Sequence, residues 1–173
     1  MVTKMIERHR GVEFFRSKLK EAEGYADFWA IVKDSVESSL GKHRVGMMLF
    51  LDDLPLRLGA YHPVGTNNIV LNRKLVEIVE ANTDSKLKVN AFVYSLLLHE
   101  YLHAIGYLSE DKVRHLVHRI SQECFGKDHI ATELARSSPW ALLAGIRLDE
   151  SIFSKGPMKI VKNFDGPNID YIR

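Results

Sequence analysis

The chain has 173 residues, 46% hydrophobic and 27% charged, a composition that suits one soluble domain with a sizeable core. A formal net charge of +2 is too small to imply a nucleic-acid or membrane-surface partner. The lone Cys124 excludes an internal disulfide framework and a cysteine zinc cluster, while eight histidines offer other metal ligands.

In chain order, residues 1 to about 22 mix charge with Val12, Phe14, Phe15 and Leu19, a weakly amphipathic helix that Gly24 breaks. Ala26–Leu40 carries Phe28, Ile31, Val32, Val36 and Leu40 at helical spacing, with Gly41 as its stop. Phe28 and Trp29 are read as core packing. Arg44–Leu51 is a short apolar run bounded by Gly41 and Asp52-Asp53, a buried strand. The two aspartates are its polar end rather than a metal pair. Leu54–His62 predicts a second strand, confined to an edge or an end by Pro55 and Pro63. A turn at Gly65-Thr66-Asn67-Asn68 leads to a third strand, Asn68–Leu71, and Asn72 caps a helix over Arg73–Asn82.

The central helix begins near Lys86–Asn90 and ends at Gly106. Phe92, Leu96, His99 and His103 share one side, Leu98, Leu102 and Ile105 a second, Val93, Leu97, Tyr101 and Ala104 a third. A helix apolar on nearly every side is a buried one. After it, Ser109 caps a helix over Glu110–Cys124 that Gly126 stops, with Cys124 as a buried small hydrophobe. Asp128 is the expected cap of a short helix over residues 129–138, and Pro139 opens a last one through Trp140–Ile146. In the tail, residues 158–164 form one extended segment between Gly156-Pro157 and Gly166-Pro167. It would either pair with the sheet edge and cover a cleft or, the favoured expectation, pack elsewhere. The whole predicts an α+β domain over residues 1–173, its small sheet packed on the central helix.

That helix carries His99-Glu100-Tyr101-Leu102-His103, the pattern H-E-x-x-H. Residues four apart stand on one face, so His99 and His103 can present two imidazoles to one zinc ion. Glu100, one step round, is placed to reach a water on the metal as general base. Buried histidines and a glutamate are costly unless paired or ligated.

These residues resemble the zincin superfamily of metallopeptidases. The resemblance implies zinc bound by His99 and His103, Glu100 as catalytic base, and extended substrate along an edge strand at residues 57–62 or 68–71. The third ligand departs from the family patterns. In the metzincin branch Gly106 matches, but the last histidine position is Ser109. The gluzincin branch takes a glutamate from the next helix. Glu110 opens that helix close to the histidines, whereas Glu123 lies about 20 Å further along at about 1.5 Å per residue. Glu110 is therefore the favoured ligand, with Asp111, His115, His118 and Glu123 as rivals. Tyr107 and His62 are candidate oxyanion stabilisers, though Tyr107 suits helix-end packing better.

A shorter resemblance, H-x-x-x-H-x-x-G-Y over His99, His103, Gly106 and Tyr107, is to a family of metal-dependent endoribonucleases of ribosomal RNA processing. It too fails at Ser109, and the sequence shows no concentrated basic stripe. The expectation is a zinc peptidase acting on peptide or protein substrates, with no nucleic-acid partner. The alternatives are a zinc-binding module without catalysis and the endoribonuclease. The N-terminus shows no signal-peptide run and the chain no membrane span, so a cytoplasmic location is expected. The oligomeric state stays open.

Overall fold

The computed structural model describes residues 10–149 and 155–166. Among the described residues there are six α-helices, one 3-10 turn and a four-stranded mixed sheet. The helices are α1 (Val12–Glu21), α2 (Tyr25–Leu40), α3 (Arg73–Ala81), α4 (Lys86–Ile105), α5 (Glu110–Phe125) and α6 (Ile130–Arg136). The strands are β1 (Met48–Asp52), β2 (Ala60–Tyr61), β3 (Asn68–Asn72) and β4 (Lys159–Ile160), in the order β2-β3-β1-β4. β1 and β3 are parallel, while β2 and β4 run antiparallel at the two edges.

Helix α4 is the centre. It packs against every other helix and against β2 and β3. Residues Asn90 to Leu98, Glu100, Tyr101, Leu102 and Ala104 are all buried, as the all-round apolar pattern demands. Two of its buried polar side chains tie it to neighbouring helices. Asn90 donates to the carbonyls of Leu19 and Ala22, closing the end of α1, and the Tyr94 hydroxyl donates to Ser35. Trp29 is fully buried edge-on to Tyr101. Cys124 is buried too, and burial pushes its thiol up to about 11. No helix of the described residues is long and apolar enough to cross a membrane.

Several boundaries differ from the sequence expectation. β1 starts at Met48, not Arg44, because Gly46 has φ 79 and the preceding residues are held otherwise. The Arg44 guanidinium donates to the carbonyls of Ala104 and Thr66, bridging α4 to the 66–67 turn. The second strand shrinks from Leu54–His62 to Ala60–Tyr61, since the Asn72 side chain binds the carbonyls of Leu54, Pro55 and Leu58 and folds that stretch into a turn. The cap of α6 is His129, whose Nδ1 accepts from the Ala131 amide, rather than Asp128. The last predicted helix is a 3-10 turn over Pro139–Leu143.

The tail pairs with the sheet, but at the edge of β1 through β4. Two aspartates fasten it. Asp53 accepts from Gly156 N and pairs with Arg73 at 3.0 Å, so it is a structural anchor and not half of a metal pair. Asp165 accepts from the Trp29 indole, Lys33 and the amides of Gly46 and Met47. Phe164 stacks on Trp29 beside it.

Candidate metal centre

The site is made where α4 ends and α5 begins. Gly106 has φ 124, a conformation that a side chain rarely tolerates. Its amide donates to the His103 carbonyl, and the Tyr107 amide reaches back to the Leu102 carbonyl, a Schellman closure. Ser109 then caps α5 by accepting from the Lys112 amide, which occupies its hydroxyl. The sharp reversal puts Glu110, the first residue of α5, over the histidines.

Three donors converge there. His99 Nε2 lies 3.2 Å from His103 Nε2 and 3.0 Å from Glu110 Oε2. His103 Nε2 lies 2.8 Å from Glu110 Oε1. The donor atoms of His99, His103 and Glu110 all lie within 4.8 Å of one another. Donors about 2.0–2.1 Å from a tetrahedral zinc sit about 3.3 Å apart, so the spacing fits that ion. The tautomer fits as well. His103 Nδ1 is 2.7 Å from the Tyr107 carbonyl, which can only accept, so Nδ1 carries the proton. In the neutral ring, Nε2 then turns a lone pair toward a carboxylate. Lone pairs facing one another repel unless a cation stands between them, either a proton or a metal.

Burial holds the His99 imidazole below its ordinary value, against the pull of Glu110. Burial alone would raise the Glu110 carboxyl, but His99 and His103 together keep it below the usual range. Glu100 is 8% exposed and has no hydrogen-bond partner among the described residues. Burial pushes its carboxyl up to about 7.

The rivals for the third ligand fall elsewhere. Asp111 is exposed and outside the cluster. Glu123 pairs with Arg119 one turn away on α5. His115 and His118 do not join the cluster, but both line the cleft that opens from it. The candidate oxyanion groups are also engaged elsewhere. His62 Nδ1 sits on the Asn68 carbonyl, the Tyr107 hydroxyl accepts from Lys42, and neither side chain lines the cleft.

That cleft, about 660 Å³, is lined by His99 and Glu110 of the cluster and by the neighbouring Glu100. Gly59 and Ala60, where the chain enters β2, line it as well, and Gly59 is pressed so closely on α4 that an added Cβ would stand 2.8 Å from Leu96 Cδ2. Leu96, Val117 and Trp140 give it apolar surface, and Arg57, Arg114 and Arg136 enter from three separate segments. This convergence has no signature in the sequence, because each arginine is isolated in the chain. No tail residue among the described ones lines the cleft, so the described tail does not cover it. Compared with known proteins, the chain matches no family profile, no curated protein sequence and no solved structure.

Proposed function

We propose that this chain is a zinc-dependent, zincin-like peptidase, in which His99, His103 and Glu110 hold the metal and Glu100 is the general base. The observation that carries the reading is the convergence of three lone-pair donors on one point, with Glu100 unpaired in the cleft beside them. Zinc in such a site lowers the pKa of a coordinated water toward about 7 and polarises a carbonyl.

The chain's own groups do the rest. His103 Nδ1–H, fixed on the Tyr107 carbonyl, keeps Nε2 turned to the metal position. Glu100 accepts a proton on its carboxylate from the attacking water and returns it to the leaving amine. The short β2 strand binds β3 on one side only, leaving the other side as an edge for an extended peptide. Among the described residues no fourth histidine, cysteine or carboxylate joins the three donors. That favours an open, catalytic position over a closed structural site. A single buried thiol suits a reducing, cytoplasmic setting.

The test is Glu100→Gln in zinc-loaded protein, scored on a peptide library by mass spectrometry. Cleavage should fall by at least about 100-fold, the contribution of a positioned base, while zinc is retained. Equal cleavage by the two proteins refutes the reading. RNA cleavage that survives the substitution favours the endoribonuclease instead.

A further inference from the structure

Among the described arginines, Arg10, Arg44, Arg73 and Arg119 bind side-chain or backbone acceptors, and Arg16 binds the Phe125 carbonyl. Arg57, Arg114, Arg136 and Arg147 make no such bond, and three of these four line one cleft. Among the described residues, the only carboxylates lining it are Glu100 and Glu110, both at the candidate metal centre. The chain as a whole is nearly neutral, 24 basic against 22 acidic residues, so the cationic wall is local. Arg136 taken alone is the basic residue favoured in the last turn of a helix, and Arg57 alone is a solvated loop residue. Their meeting with Arg114 in one concave site is what those separate readings leave unexplained.

We propose that this wall selects substrates bearing a carboxylate, with Arg114 as its main anchor and Arg57 and Arg136 flanking it. The proposal rests on the peptidase reading and adds a substrate class. Arg114 stands one turn beyond Glu110 on α5, about 6 Å along the axis. An extended peptide advances about 3.3 Å per residue, so the carboxylate belongs about two residues from the scissile bond. A guanidinium fork matches a carboxylate in two parallel hydrogen bonds. It matches a phosphate too, but nucleic acid needs a cationic track longer than one cleft, and the near-neutral balance does not supply it. The carboxylate is either an acidic side chain or a free chain terminus.

The experiment measures binding to zinc-loaded Glu100→Gln protein at 0.15 M salt, roughly physiological ionic strength, by fluorescence anisotropy. Four labelled probes are compared: a terminally blocked peptide with internal Asp or Glu, a neutral peptide with a free C-terminus, a neutral fully blocked peptide, and a single-stranded RNA oligomer. A carboxylate probe should bind about tenfold or more tighter than the blocked neutral peptide, the worth of one charge-assisted hydrogen-bonded pair. Which of the two does so identifies the source. Arg114→Gln should erase the preference, and Arg147→Gln, outside the cleft, should leave it intact. Equal binding of all peptides, no binding at all, or equal effects of the two substitutions overturns the proposal. Tighter binding of the RNA probe also overturns it. If wild-type enzyme cleaves neutral and acidic peptides equally, the peptidase reading stands and the carboxylate preference falls. If the preference is present but no peptide is cleaved, the cleft assignment stands and the hydrolase reading falls.

Discussion

The Nδ1 of His103 lies 2.7 Å from the carbonyl oxygen of Tyr107, four residues on and already past the end of α4. The contact ties the ring's tautomer to the shape of the helix terminus. That shape depends on Gly106 at φ 124. Gly106→Ala should cost about 1–3 kcal/mol through backbone strain, since open space around the position offers no clash to relieve. Zinc affinity should weaken with it, because Glu110 and the Tyr107 carbonyl both move. Thermal unfolding and competitive zinc titration check the two effects. A variant with unchanged zinc affinity would show that the turn does not orient the ligands.

The ligand assignment separates residues that are neighbours on one helix. Glu110→Ala and His99→Ala should each weaken zinc binding by more than about 100-fold, beyond the effect of losing an outer hydrogen-bond partner. His115→Ala and His118→Ala should leave zinc affinity within a few-fold, because neither donor joins the cluster. A large loss on replacing His115 or His118 would move the third ligand.

The tail is predicted to contribute stability rather than to control access. Asp165→Ala removes the acceptor of the Trp29 indole and of the Gly46 and Met47 amides. Leaving such donors unpaired costs about 1–3 kcal/mol per buried group, so unfolding in urea should shift by at least that much. Peptide cleavage by the folded fraction should not rise. Higher specific activity would revive a latency role for the tail.

Asp53 gives stability a definite pH dependence. Its hydrogen bond to Arg73 holds the carboxyl below the ordinary value, burial opposing and the Gly156 amide assisting. A depressed folded pKa means that the charged form stabilises the fold. The contribution is fully present above the unfolded value of about 3.9 and is lost as pH falls through the lower folded value. Wild type should therefore be more stable than Asp53→Asn at pH 6, with the gap closing below about pH 4. A constant gap across that range in urea unfolding would contradict it.

Much of this architecture is legible in the residues. The course of α4 follows from its apolar run and Gly106, and α5 follows from Ser109 and Gly126, because caps and periodicity are local signals. That Glu110 stands beside the two histidines also follows locally, because it opens the helix next to the motif. The strand around Leu54–His62 does not, since the Asn72 side chain acts from 14 to 18 residues away to fold it into a turn. The tail's place was equally hidden. It depends on Asp165, whose amide partners lie 118 and 119 residues back. The arginine wall is the same kind of case, a product of the fold joining three segments that share no pattern.

The most direct test is calorimetric zinc titration of chelator-stripped protein. One tight site per chain is expected in wild type and in Glu100→Gln, and none in His99→Ala or Glu110→Ala. A wild-type protein that takes up no zinc, or a His99→Ala variant that binds it as tightly, would contradict the centre on which the rest is built.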